Sequence, residues 1–348
     1  MILTRSIVFL FNGSIYRMSS MHARLFHAAS VILLSLHSAS WGEETHRREY
    51  ELLRTMPPEI MATYLPGKLG TIIKGRGGCR YLAAAAVMED KERADDAWKS
   101  VEAMLATQVA DGGFEGGGRP GDAPITVYSI RVENAYFFLQ ELGRAMLVVN
   151  ASPLEPYFRE RFENITPKLR KACDFLQKGF PTIVLKVGHT ANRLLIAAKA
   201  FGLCGIVLGD ETMKESSRKL VKAALQRRDK EGVFIERGGR DSSYNSVALL
   251  MGQHLTLNLP NEELEAAMKP AMDWQLTRIK PTGEIMVEGN TRTGVGKEAS
   301  PDTGKPKDVN YSEVAQTLWY YGAIHHEPAV IAVALKVREW ELKRESGK

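Results

Sequence analysis

The sequence predicts an all-α protein: an (α/α) toroid of stacked helical hairpins whose long loops form a cleft at one mouth. Three observations support this. After residue 44, apolar residues recur at three and four along nearly the whole chain. Roughly ten to twelve such stretches of about 15–20 residues are separated by Gly- and Pro-rich loops, as in helical hairpins. Three of those loops, 111–127 (DGGFEGGGRPGDAPITV), 229–243 and 279–309, are long, glycine-rich and dotted with charge. Loops of that length in a compact domain tend to be functional, and a closed ring gathers them at one mouth. No strict repeat of fixed period is visible, which argues against an open array of the TPR or HEAT kind.

In chain order, residues 1–42 read as a leader. They contain three arginines and no acidic residue. Arg24 precedes the apolar run Ala28-Ala29-Ser30-Val31-Ile32-Leu33-Leu34-Ser35-Leu36, and small residues follow at Ser38-Ala39-Ser40. This is the layout of a secretory signal, and the run is too short to be a stable membrane anchor. The expected start of translation is Met18 or Met21, and the expected destination is secreted or periplasmic. Residues 43–348 read as one catalytic domain, since no linker divides them. Helical periodicity covers 78–89, 92–110, 131–149, 157–178, 189–208, 212–227, 243–258, 261–278, 310–323 and 328–344. The best strand candidates, 183–187 and 283–287, are short.

Composition narrows the function. At 44% hydrophobic and 25% charged residues the chain can bury a sizeable core. Of its +5 formal charge, +2 remains outside the leader. That mild excess argues against nucleic acid as the main partner. Cys79, Cys173 and Cys204 are too few and scattered for a disulfide scaffold. No CxxC, HExxH, G-x-S-x-G or phosphate-cradling glycine loop is present, so no metal site or cofactor is expected.

The chemistry-bearing residues form five polar clusters. They are 131–136 (RVENAY), 188–193 (GHTANR), 236–245 (ERGGRDSSYN), Gln253-His254, and 289–294 (GNTRTG), the last followed by Lys305, Lys307, Asn310 and Tyr311. The inventory is rich in Arg, Asn, His and Tyr and lacks an isolated pair of carboxylates of the kind most glycosidases use. It suits β-elimination from a uronic acid. Asn, His or Arg would offset the carboxylate charge that keeps the C5 proton from leaving, and Tyr or His would move protons. In Arg240-Asp241-Ser242-Ser243-Tyr244, the Arg and Tyr share a face if both are helical, and a nearby cation would lower the phenol pKa.

The catalytic candidates are therefore Tyr244, His189, Asn192, Arg240 and Arg292. The substrate-binding candidates are Asn134, Arg193, Arg237, Glu236, Asn245, His254 and Tyr311. Each has a plainer reading: His189 as a cap, Tyr244 as packing, Arg292 as a loop brace, and His254 as a core residue inside an apolar helix. A buried Asn134 needs partners, from substrate or from a neighbouring loop.

The runs HTANR, GGRDSSYNSV and GNTRTG, with the helical pattern and the leader, resemble bacterial (α/α)-barrel polysaccharide lyases, closest to the alginate and glucuronan lyases of polysaccharide lyase family 38. The likeness covers most of 70–340. It implies metal-independent elimination on an anionic polysaccharide. Tyr244 would take the Tyr role, His189 with Asn192 the His/Asn role, and Arg240 and Arg292 the carboxylate-binding role. A second likeness is local. Gln108-Val109-Ala110-Asp111-Gly112-Gly113-Phe114 resembles a turn of terpene cyclases and prenyltransferase-like toroids, but the acidic DxDD motif of those cyclases is absent. It supports the architecture alone. Two rivals remain: a glycoside hydrolase of the same architecture with Glu236 or Asp241 as acid, and a non-enzymatic glycan-binding module.

Overall fold

A computed structural model describes residues 7–11, 14–18, 47–73, 75–116, 122–300 and 303–347. The chain divides into two compact units, 1–45 and 46–348. In the first, β1 (Ile7–Phe11) pairs antiparallel with β2 (Ser14–Met18). The secretory run at 28–36 lies outside the described residues.

In the second unit the expected all-α toroid is present. Helix α1 covers 47–53, followed by α2 (Pro58–Met61) and a 3₁₀ turn at Ala62–Tyr64. Five hairpins follow: α3 (Arg76–Val87) with α4 (Lys91–Leu105), and α5 (Pro124–Asn150) with α6 (Glu155–Lys178). After the short α7 (Phe180–Val187) come α8 (Ala191–Leu208) with α9 (Glu211–Leu225) and α10 (Ser242–Asn258) with α11 (Glu262–Thr277). The last pair is α12 (Tyr311–Ile324) and α13 (Pro328–Ser346). Residues 183–187, a strand candidate, are helical because Pro181 at the N-terminal turn and an unbroken apolar run suit a helix. Residues 283–287 form no strand: Ile279 and Ile285 make one isolated bridge across a turn.

Composition decides which helices face inward. Helices α3, α5, α8, α10 and α12 pack side by side as the inner ring. They are apolar on nearly every face, as a buried helix must be. In α10, Tyr244 alone is not fully buried. Helix α8 is long and apolar enough to cross a membrane by composition, yet 78% of it is buried inside protein. The outer helices α4, α6, α9, α11 and α13 carry charge on their solvent face. Asp90, Asp210, Asp241, Asn261 and Asn310 cap the helices they precede. Between α12 and α3 the ring is closed by segment 58–64 on the outside and by Arg80, which reaches Glu313 at 3.1 Å.

The connections are unequal. Those leading from inner to outer helices are two to four residues long, whereas those leading into the inner helices are long. The long loops therefore lie at the N-terminal ends of the inner helices, which is one mouth of the ring. Three of them share one turn that the sequence does not advertise as a repeat. Val109, Asp229 and Lys280 each donate N–H to the carbonyl four residues on, and Gly112, Gly232 and Gly283 each donate back. All three glycines have positive φ, and each presses on the next outer helix; a Cβ on Gly283 would lie 2.1 Å from the Lys336 carbonyl oxygen. The turn staples neighbouring outer helices.

The axis of the ring is filled by buried charge. Lys199 lies 3.0 Å from Glu141 and 2.9 Å from His254 Nδ1, and Arg80 reaches Glu141 at 3.1 Å. Toward the far end Glu49 accepts from Arg144, Asn258 and Tyr320, so helix α1 plugs that end.

Candidate functional site

The mouth holds a cleft of about 250 Å³ between the start of α5, helix α7 and the loops before α8, α10 and α12. Its walls include Glu133, Tyr136, Lys186, His189, Thr190, Arg193, Arg237 and Arg292. His189 is exposed in the turn before α8, with Thr190 at the N-cap position. Arg193 is half-buried, pairs with Glu133 and lies over the Phe137 ring at 5.8 Å. The hydroxyl of Tyr136 is buried beside that guanidinium without a well-formed hydrogen bond, and burial raises its pKa.

Behind this wall, Arg292 donates to Glu236 and, at 2.9 Å, to Glu298. Its guanidinium lies 4.1 Å from the Tyr244 ring centroid, and Lys307 lies 5.0 Å from the same ring. Burial holds the Glu236 carboxyl above its ordinary pKa, although Arg292 opposes this. Its Oε2 is buried with no hydrogen-bond partner among the described residues, and so is Oδ1 of Asn192 on the first turn of α8.

Neither a family model nor a curated protein sequence matches the chain. Among solved structures it is similar to a sugar epimerase from a ruminal bacterium, with a TM-score of 0.45 and 11% identity. The match covers 82% of this chain and 87% of the epimerase. The reading of the site rests on the residues of this chain alone.

Of the candidates, His189, Arg193, Arg237 and Arg292 line the cleft, Tyr244 and Glu236 lie against Arg292, and Asn192 is buried on the first turn of α8. Asn134, half-buried on α5, donates to the Gly116 carbonyl at 3.5 Å, so a loop backbone supplies its partner. Four candidates lie elsewhere. Arg240 is the main correction: it precedes the helix, so the shared-face spacing to Tyr244 does not hold. It donates to Asp229 at 2.5 Å and Glu231 at 2.6 Å and lies over Trp274. The cations beside Tyr244 are Arg292 and Lys307, and the phenol pKa is pushed up to about 12 rather than lowered. Burial is the largest cause, and Glu236 and Glu298 add to it against Arg292.

Asn245 faces outward to α11, donating to the Ala271 carbonyl at 3.1 Å and Gln275 at 3.0 Å. Tyr311 accepts from the Ile285 N–H at 3.3 Å under Arg344, which braces a turn. His254 belongs to the axial charge network, and burial with Lys199 beside it drives its pKa well down.

Asp241 accepts from the N–H groups of Ser243, Tyr244, Arg292 and Thr293 and from the Thr293 hydroxyl. It both caps α10 and fixes the loop carrying Arg292, a role that accounts for the crowded polar start of this helix. The residues missed were Glu298, Lys307 as a neighbour of Tyr244, and Tyr136. Glu298 sits among Gly, Lys and Ser without a pattern. The Tyr of RVENAY was visible but carried no spacing to a partner.

Proposed function

We propose that this protein is a carbohydrate-active enzyme that cleaves a uronic-acid-containing polysaccharide by β-elimination. The observation that carries the reading is the excess of positive charge at the mouth. Among the described residues, Lys186, Arg193, Arg237, Arg292 and Lys307 outnumber Glu133, Glu236, Asp241 and Glu298 there, which favours an anion. The cleft wall adds polar groups that suit sugar hydroxyls, Thr190 and His189 among them. A uronic acid carries both a carboxylate and hydroxyls. The resemblance to (α/α)-barrel polysaccharide lyases, closest to the alginate and glucuronan lyases, points the same way.

In this reading an arginine beside the substrate carboxylate reduces its charge, so that the C5–H bond becomes acidic. His189, on the cleft wall, takes the C5 proton. The C–H electron pair forms the C4–C5 double bond, and the C4–O4 bond breaks. Tyr244, protonated at neutral pH, gives its proton to the departing O4. The purified chain would be incubated with alginate, polymannuronate, glucuronan, pectate and hyaluronan in the presence of a chelator, and the ultraviolet absorbance of the unsaturated uronate followed. No rise on any of them sinks the reading for these polymers.

One observation favours a second reading, a hydrolase. Glu236 is a buried carboxyl with a raised pKa and a free oxygen, which suits a general acid. New reducing ends without ultraviolet absorbance, lost in Glu236→Gln and kept in Tyr244→Phe, would decide for it.

A further inference from the structure

Arg237 occupies a backbone position that suits arginine poorly. Glu236 and Gly239 exchange backbone hydrogen bonds of 2.7 and 3.2 Å around a two-residue turn. The φ angles are 51° at Arg237 and 86° at Gly238. A turn with both central residues left-handed favours Asn-Gly, and a long side chain there is strained. Strain of this kind persists where the side chain has a task. Here the guanidinium lines the cleft and reaches Glu298.

Glu298 receives more than one cation. Arg292 reaches it at 2.9 Å and Lys307 lies 3.8 Å away, while Glu298 itself remains partly exposed. Its backbone is tied on both sides, donating to the Arg292 carbonyl at 3.2 Å and accepting from Lys307 N–H at 2.7 Å. The carboxylate can therefore leave by rotating its own side chain, with the loop in place. A structural ion pair needs one cation. Glu298 meets three, one of them strained and one, Arg292, shared with Glu236, and together they make an anion site with a carboxylate of the protein resident in it.

We infer that Arg237, Arg292 and Lys307 form a subsite for the carboxylate of a sugar acid, and that Glu298 is a stand-in which the bound uronate displaces. The identity of the ligand rests on the uronate reading above; the displacement does not depend on elimination following.

The test is calorimetric titration of the full chain and two variants with glucuronate, with glucose as the neutral control. Glu298→Gln keeps the shape and removes the competing charge, so glucuronate should bind about fivefold tighter. Arg237→Asn places the residue that this turn favours, so the thermal midpoint should rise while glucuronate binding weakens about fivefold or more. A purely structural arginine would not couple a gain in stability to a loss of binding. Weaker or unchanged binding in Glu298→Gln overturns the proposal, because Glu298 would then be orienting the arginines. Absence of glucuronate binding to all three proteins overturns it too, as does equal binding of glucose. Glucuronate binding without elimination on any polymer keeps the subsite and sinks the lyase reading. Elimination with an unchanged KM in Glu298→Gln does the reverse.

Discussion

The Arg292 guanidinium stacks 4.1 Å from the centre of the Tyr244 ring while its edge is held by Glu236 and Glu298. A cation over a phenol favours phenolate, but burial and the two carboxylates oppose it and win, leaving the pKa at about 12. At neutral pH only about one phenol in 10⁵ would be ionised. Tyr244 is therefore equipped to give a proton rather than to take one.

Replacing Tyr244 by Phe tests that role. The hydroxyl makes no hydrogen bond to the described residues, so the fold loses little and the thermal midpoint should stay close to that of the wild type. Turnover on the cleaved polymer should fall by about 100-fold or more, the usual loss when a general acid is removed. Steady-state kinetics beside a melting curve checks both halves.

The pH profile separates acid from base. If Tyr244 is the acid, it stays protonated well above neutrality, so kcat/KM should not fall on its account between about pH 7 and about pH 10. Were it the base, kcat/KM would climb about tenfold per pH unit toward a plateau near its pKa. A rising limb of unit slope across that range would reverse the assignment of His189 and Tyr244.

Asp241 should behave as a structural residue. As a carboxylate it accepts five hydrogen bonds from two segments. Asp241→Asn leaves some of those donors facing an NH₂ group, with an expected loss of about 2–3 kcal/mol measured by urea denaturation. Activity should follow the folded fraction. Complete loss of turnover in a fully folded Asp241→Asn protein would instead make Asp241 part of the chemistry.

How far the sequence could be read follows from the range of each interaction. The toroid was legible because an inner helix such as 191–208 is apolar all round and an outer one such as 211–225 is not, and that contrast is local. Arg240 was misplaced because a four-residue spacing means proximity only inside a helix, and α10 begins at Ser242. The arginine that does meet Tyr244 is 48 residues later, brought there by hydrogen bonds from Arg292 and Thr293 to Asp241. No periodicity encodes that. Residues 183–187 show the opposite failure: a short apolar run fits strand and helix equally, and the preceding Pro181 was the local signal that could have decided it.

The recurring turn supplies a stability prediction. Gly112 and Gly283 have φ of 97° and 90°, and an added Cβ would meet the Lys171 and Lys336 carbonyl oxygens at 2.2 and 2.1 Å. Gly→Ala at either site combines a strained conformation with a backbone clash, costing about 2–4 kcal/mol in urea denaturation. Gly238, also left-handed, has open space around it. Gly238→Ala should cost about 1 kcal/mol, from conformation alone.

The axial charges shape stability against pH in three windows. Glu141 sits among Lys199, Arg80 and Arg144, which hold its pKa well below the ordinary value against the opposing effect of burial; Glu313 is lowered by Arg76 and Arg80 in the same way. Because the folded state binds these protons less readily than the unfolded chain, their contribution is complete above the ordinary carboxylate range and is lost progressively as pH falls below it through the lowered folded values. Lys199 is lowered to about 7, by burial first and then by Arg144 and Arg80, with Glu141 opposing. Between about 7 and the ordinary lysine value near 10.5 the unfolded chain holds a proton that the folded one has released, so stability rises with pH there. Tyr64 is raised to about 12 by burial, and Tyr320 is raised as well. Above about pH 10 the folded state holds protons that the unfolded chain gives up, and stability falls again. The buried thiols of Cys79, raised by burial, and Cys173, raised by Cys204 and burial, act in the same sense from about pH 9, so the urea midpoint should rise above neutrality and turn down near pH 9 rather than peak in the usual range of about 5 to 8. Lys199→Met removes the middle window and also weakens the acid one, because Lys199 helps to hold Glu141 down, so between about 7 and about 9 its midpoint should be flat where that of the wild type rises. A wild-type maximum below neutrality would show that Lys199 stays charged in the folded ring.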